Sequence, residues 1–110
     1  MATHEFGIMP NKPGNERYDS YEPDKYYLVK IEDEYIENLL EEFDDIPCYW
    51  HTLRRPETNL VYCGITLIPP ESAGSFIAVF RRHNNGQYND ILELFERAKR
   101  NTQYIIHYGL

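Results

Sequence analysis

The chain has 110 residues, of which 42% are hydrophobic and 15% aromatic, a composition typical of one globular domain. No run approaches the roughly 20 consecutive apolar residues of a membrane span, and the N-terminal stretch lacks the basic and apolar regions of a signal peptide. We therefore expect no membrane partner and a cytoplasmic location, where Cys48 and Cys63 remain free thiols.

The net charge of −7 is unevenly distributed along the chain. Residues 1–45 contain thirteen acidic and four basic side chains, a balance of −9, whereas residues 46–110 contain five acidic and seven basic ones, a balance of +2. Nucleic acid is not an expected partner, because the acidic half repels phosphate. A basic protein or a cationic ligand fits this charge better.

Residues 1–24 are predicted to form an irregular lead-in, since they are polar and interrupted by three prolines. Their tyrosines argue against disorder, so we expect the lead-in to pack on a single α+β domain spanning residues 25–110. This domain begins with a predicted strand at 25–31. A helix follows from Glu34 to about Asp44, with apolar residues on one face and acidic residues on the other.

Two β-rich runs, residues 48–53 and 60–68, are predicted to pair as a hairpin around the turn sequence RRPETN. When an odd-numbered residue lies opposite an even-numbered one, Cys48 and Cys63 both face the core and His51 lies on the other face. A three-residue loop reverses this register and brings His51 to the face of Cys63.

Residues 75–82 are predicted to form a central strand, because residues 76–80 are apolar on both faces of an extended chain. A second helix is predicted after a cap at Asn89 or Asp90, with Arg97, Lys99 and Arg100 near its C-terminal end. A final strand is predicted over residues 103–110. The predicted order is therefore β-α-β-β-β-α-β. This order favours a two-layer α+β sandwich with a mainly antiparallel or mixed five-stranded sheet and two helices on one face.

The chain lacks the usual sequence signatures of catalysis and cofactor binding, namely G-x-S-x-G, G-x-x-x-x-G-K-[ST] and G-x-G-x-x-G. Its Cys and His residues are scattered singly, unlike the close pairs of zinc sites. The predicted register also holds the His51 imidazole away from both thiols. We therefore assign no catalytic residue, no metal site and no cofactor.

Two groups of side chains are candidates for binding. Tyrosine and arginine supply rigid area and directional donors in binding hot spots, and both are concentrated on the presumed open face of the sheet and its edge loops. The alternative is that the lead-in covers this face. The candidates there are Tyr49, His51, Arg54, Arg55, Tyr62, Arg81, Arg82, His83 and His107, and those of the acidic helix are Glu37, Glu41, Glu42, Asp44 and Asp45.

The phrases FGIM, RYDSYEP, GITLIPPES and YIIHYGL together resemble small uncharacterised bacterial proteins with no assigned activity. The resemblance covers most of the chain and transfers no catalytic residue. The function has to be inferred from the residues themselves.

Two functions from different classes follow from the sequence. The first is a non-enzymatic protein-binding module of the inhibitor, immunity or adaptor type, which presents its acidic helix and a tyrosine-rich face to a basic protein. The second is a small enzyme or ligand-binding domain that uses His51, Arg54 and Tyr62, with Cys63 if the register is reversed. Homodimerisation through the aromatic face is compatible with either function.

Overall fold

A six-stranded antiparallel sheet organises the fold. The computed structural model describes residues 2–110. The strands stand in the order β2-β1-β6-β5-β3-β4, and each neighbouring pair is antiparallel. Their bounds are β1 (Thr3–Ile8), β2 (Leu28–Glu32), β3 (Pro47–Trp50), β4 (Pro56–Thr58), β5 (Ile65–Ile68) and β6 (Ile105–Tyr108).

Three α-helices pack on one face of this sheet. They are α1 (Asp33–Glu37), α2 (Pro70–His83) and α3 (Asn89–Arg100), and single 3-10 turns form at Pro23–Lys25 and Leu40–Phe43. Buried residues of all three helices belong to one apolar cluster with strand residues such as Phe6, Ile68 and Ile105. The fold is therefore α+β, as predicted.

Between residues 2 and 110, no helix has both the length and the apolar composition that crossing a lipid bilayer requires.

The predicted central strand at residues 75–82 is wrong, because this segment belongs to helix α2. An apolar run fits a buried strand and a buried helix equally well, so periodicity alone did not separate them. In the helix, the run places Phe76, Ile77 and Phe80 on the face that is buried against the sheet and α3. Pro70 is the first helical residue, where a missing backbone N–H costs no hydrogen bond.

The irregular lead-in predicted for residues 1–24 is corrected in its first part, because Thr3–Ile8 is a strand inside the sheet. Strand β1 pairs with β2 on one side and with β6 on the other, so its backbone hydrogen bonds come from distant parts of the sequence. The predicted helix over residues 34–44 is also shorter than expected. It ends at Glu37, and the chain continues as the 3-10 turn Leu40–Phe43.

The predicted hairpin register is wrong as well. Strand β3 lies between β4 and β5, and Tyr49 stands opposite Leu67 while Trp50 stands opposite Thr66. Residues of equal parity therefore pair, whereas the prediction paired odd with even. The reason is that the predicted turn contains strand β4, and residues 59–64 form a second connection that shifts β5 relative to β3. With β1 and β4 added and residues 75–82 removed, the sheet has six strands rather than five.

The second face of the sheet carries a smaller apolar cluster, formed by Met9, Ile65, Leu67, Ile106 and Tyr108. Tyrosines of the segment between β1 and β2 pack against it, among them Tyr18 and Tyr26. Residues 9–27 thus lie over this face, which explains their aromatic content.

Candidate functional site

Residues 34–45, which we call the acidic segment, present their carboxylates to solvent. The segment buries Ile36, Leu39 and Phe43 in the helix-side cluster. This anchoring directs the intervening side chains outward. The exposed acidic residues are Glu34, Glu37, Glu41, Glu42, Asp44 and Asp45.

Two predicted binding residues contact the acidic segment rather than the sheet face. Arg82 and His83, in the last turn of α2, both donate hydrogen bonds to the carboxylate of Glu42. The hydrogen bond from Arg82 is the main reason that the pKa of Glu42 is lowered. The sequence prediction placed these two side chains on the open face of the sheet and its edge loops, and that placement is wrong because residues 70–83 are helical.

Other predicted binding residues have separate local partners. The guanidinium of Arg55 lies 5.3 Å from the ring centre of Trp50 and pairs with Glu57 at 3.3 Å. Tyr49 is half-buried against the second cluster, and Arg54 is exposed. Arg81 pairs with Glu96 of α3 at 3.0 Å. These residues do not converge on one site.

A buried hydrogen-bond chain joins β1, β5, β6 and α1. Nδ1 of His4 lies 2.9 Å from Nε2 of His107, and Nε2 of His4 lies 2.9 Å from Oδ1 of Asp33. At one end, Tyr62 donates to the same Asp33 oxygen at 2.6 Å. At the other end, Oγ1 of Thr66 lies 3.0 Å from Nδ1 of His107. His4, Thr66 and His107 are fully buried, so the prediction of His107 on an open face is corrected.

The chemistry of the end groups fixes the direction of this chain when both imidazoles are neutral. A carboxylate only accepts, so His4 donates from Nε2 to Asp33 and accepts at Nδ1 from His107. Nδ1 of His107 is then an acceptor for the Thr66 hydroxyl, whose oxygen accepts the backbone N–H of Val61 at 2.8 Å. Each imidazole nitrogen and the Thr66 hydroxyl thus has a partner, which is the condition for a stable buried network.

The environment shifts the pKa of three groups in this chain. Burial, reinforced by the neighbouring His4, places the pKa of His107 well below its ordinary value and keeps it neutral. The hydrogen bonds from Tyr62 and His4 lower the pKa of Asp33. The same bond to Asp33 raises the pKa of Tyr62 to about 12. The chain is thus suited to holding strands together, and its histidines are closed to a ligand.

His51, by contrast, lies at an open cleft. It follows β3 with a left-handed backbone, φ 66°, and its Nδ1 is 2.9 Å from the carbonyl oxygen of Tyr18 and 3.3 Å from Oδ1 of Asp19. Both neighbours accept hydrogen bonds, so Nδ1 carries a proton. When the ring is neutral, Nε2 therefore offers its lone pair. Nε2 lies beside Gly64, where a Cβ atom would stand 2.7 Å away.

The cleft beside His51, which we call the His51 cleft, has a volume of about 440 Å³. It opens on the second face of the sheet, where the segment between β1 and β2 meets the ends of β5 and β6. Its polar and aromatic lining consists of Glu5, Asp19, Tyr21, His51, Cys63 and Tyr108.

The two cysteines have different surroundings. Cys48 is buried in the helix-side cluster, and burial raises the pKa of its thiol to about 12. Cys63 is exposed and lines the His51 cleft. The predicted separation from His51 therefore holds for Cys48 and is wrong for Cys63, because the register of β5 differs from the predicted one. No hydrogen bond among residues 2–110 joins the Cys63 thiol to His51, so the pair lacks the contact that activates a thiol nucleophile.

Sequence reasoning missed several residues of these two sites. Glu5 and His4 lay in the predicted lead-in, and Asp33 lay between the first predicted strand and the first predicted helix. The partners are far apart along the chain, since the residue numbers of His4 and His107 differ by 103. The available signal was that His4 and Phe6 are two positions apart, the spacing of residues on one face of a strand. Two residues are too few to predict a strand.

Comparisons of the chain with family models, curated proteins and solved structures gave no match. Within the part of the chain that the structure describes, no group of three or more His, Cys, Asp or Glu side chains is arranged to hold a metal ion.

Proposed function

We propose that the protein is a non-enzymatic binding module, of the inhibitor, immunity or adaptor type, whose acidic segment recognises a basic protein. The observation that carries this proposal is the exposure of six carboxylates within residues 34–45. Of these six, only Glu42 forms an ion pair within residues 2–110. Asp44 accepts a hydrogen bond from Asn59, and the other four are Glu34, Glu37, Glu41 and Asp45.

The positions of these carboxylates favour a role in recognition over one in folding. Neither α1 nor the 3-10 turn Leu40–Phe43 has a basic residue in its last turn. Acidic side chains at the C-terminal end of a helix are unfavourable by a few tenths of a kcal/mol each, roughly, because they face its negative end. Charges that do not stabilise the fold are available to attract a basic surface and to speed its association.

The proposal is tested by affinity capture from the native source with two matched variants. The first neutralises the acidic segment: Glu34→Gln, Glu37→Gln, Glu41→Gln and Asp45→Asn. The control removes the same charge from exposed, unpaired acidic residues elsewhere: Asp24→Asn, Glu71→Gln, Asp90→Asn and Glu93→Gln.

We expect the wild-type protein and the control to capture the same basic protein, and the first variant to lose it. Raising the ionic strength from about 0.05 M to about 0.5 M should release that protein, because salt screens exposed charges. Equal capture by all three proteins, or capture that is insensitive to salt, would count against the proposal.

A second candidate function, ligand binding at the His51 cleft, is favoured by one observation: His51 and Cys63 line the same concavity. Its volume lies within the range of about 300–1,000 Å³ typical of small-molecule sites. Alkylation of Cys63 with iodoacetamide fills part of this cleft. A ligand should therefore shift the amide resonances of Gly64 and Gly109 in the unmodified protein and leave them unchanged after alkylation. Identical shifts before and after would exclude the cleft.

A further inference from the structure

Glu5 is a buried carboxylate without a counter-charge. It lies within strand β1, and only 9% of the residue is exposed. One of its oxygens, Oε1, accepts the hydroxyl proton of Tyr21 at 2.6 Å. Within residues 2–110, no Lys, Arg or His forms an ion pair with it. A buried carboxylate is unfavourable unless hydrogen bonds or an opposite charge compensate for lost hydration.

The second oxygen of Glu5, Oε2, is accessible to solvent. Among the described residues, no side chain forms a hydrogen bond with this oxygen. Every fully buried side-chain oxygen or nitrogen of these residues does have a partner. Oε2 is therefore in contact with solvent. Since Glu5 lines the cleft, this acceptor is presented to whatever occupies it.

The other polar groups of the cleft favour a positively charged ligand. Asp19 supplies a second carboxylate, which also contacts Arg17 and His51. In its neutral form, His51 offers a further acceptor at Nε2. Among the described residues, no lysine or arginine lines the cleft. An anionic ligand would thus meet the carboxylate of Asp19, which Arg17 partly balances, and that of Glu5, which has no ion-pair partner among the described residues.

Two tyrosine rings supply the apolar part of the site. Tyr21 and Tyr108 meet edge to face, with ring centres 5.0 Å apart and an interplanar angle of 88°. Tyr21 is 56% exposed, so its ring is accessible to a ligand. Aromatic faces attract organic cations, and this attraction adds to that of a nearby carboxylate.

From this combination we propose that the His51 cleft binds a small organic cation, whose ammonium or guanidinium group pairs with Oε2 of Glu5 and whose apolar part lies against Tyr21. The inference rests on the second proposed function, ligand binding at this cleft, and names the class of ligand. It does not depend on the acidic segment, which lies on the helix side of the molecule.

The test is an NMR titration of the full chain with benzylammonium, with its neutral analogue benzyl alcohol and with benzoate. We expect benzylammonium to shift the amide resonances of Gly64, Ile65 and Gly109. Benzyl alcohol should bind roughly 10- to 100-fold more weakly, because it lacks the charge-assisted bond to Glu5, and benzoate should not bind. Equal binding of benzylammonium and benzyl alcohol, or no shift at these amides, would overturn the proposal.

Glu5→Gln removes the charge while keeping an acceptor for Tyr21, and it should weaken benzylammonium binding by roughly 10- to 100-fold. Glu93→Gln, at an exposed position of α3, is the matched control and should bind like the wild-type protein. If Glu5→Gln does not fold, Asp19→Asn takes its place and should weaken binding by about three- to tenfold, a smaller effect because Asp19 is exposed. Unchanged binding in the folded variant contradicts the proposal.

The variant with the neutralised acidic segment separates the two proposals. It should lose the basic protein partner and still bind benzylammonium at the cleft. Loss of benzylammonium binding in this variant would show that the cation associates with the acidic surface instead, and would overturn the inference.

Discussion

The imidazole rings of His4 and His107 lie nearly parallel, with an interplanar angle of 14°, and Nδ1 of His4 is 2.9 Å from Nε2 of His107. This contact joins β1, near the start of the chain, to β6, near its end, in the middle of the sheet. Asp33 and Thr66 extend it to α1 and β5. The stability of the sheet should therefore depend on this polar chain as well as on apolar packing.

Thr66→Val tests the energetic contribution of the chain. The substitution keeps the shape of the side chain but leaves Nδ1 of His107 and the N–H of Val61 without their partner. Because unsatisfied buried polar groups are costly, we expect the free energy of unfolding to fall by about 1–3 kcal/mol in urea titrations. Thr58→Val, at an exposed position of β4, is the control and should change it little. An equal effect of both substitutions would contradict this assignment.

The buried His107 should also make stability depend on pH. Its pKa in the folded protein lies well below the ordinary value of 6.5, so the unfolded chain binds the proton more readily. The contribution of His107 is therefore complete above about pH 6.5 and declines as the pH falls below that value. Asp33 acts in the same direction at lower pH, since its pKa is lowered from 3.8.

His107→Gln isolates this effect, because glutamine can donate to His4 and accept from Thr66 without titrating. Between about pH 6.5 and pH 5, the variant should bind up to about one proton fewer on unfolding than the wild-type protein. Urea unfolding at a series of pH values measures this slope. A slope unchanged by His107→Gln would assign the pH dependence to other groups.

The two thiols should react at very different rates. Cys63 is exposed, whereas Cys48 is buried and its pKa is raised to about 12, so it holds little thiolate near neutral pH. In native protein, Ellman's reagent should label one thiol rapidly and the second only after unfolding. Cys63→Ser should abolish the rapid phase, and Cys48→Ala should preserve it. Two rapid phases in the wild-type protein would place Cys48 outside the core.

Two glycine substitutions should change the stability of the fold in opposite directions. A Cβ at Gly109 would lie 2.2 Å from the carbonyl oxygen of Tyr62, so Gly109→Ala should destabilise the fold by about 1–3 kcal/mol. At Gly74, inside helix α2, the nearest neighbour is the flexible end of Lys99, 3.3 Å away. Gly74→Ala should stabilise the helix by about 0.5–1 kcal/mol. Thermal unfolding followed by circular dichroism measures both, and shifts of the same sign would contradict the contacts described.

Local sequence patterns were sufficient to predict those helices and strands whose spacing of apolar residues fits only one type of element. Helix α3 and strands β2 and β6 lie where they were predicted, and the predicted outward position of acidic residues in the segment 34–45 is also observed. In each case the local spacing of apolar residues agrees with the burial that the element obtains in the fold.

Tertiary structure decided the rest, because the deciding partners lie far away in sequence. The run from Phe76 to Phe80 suits either a strand or a helix, and its burial against α3 selects the helix. Strand β1 is stabilised by hydrogen bonds to β2 and β6, which no local pattern reveals. The register of β5 against β3 places Cys63 beside His51. A one-residue change in strand pairing exchanges the two faces, so the cleft could not be predicted from the letters that form it.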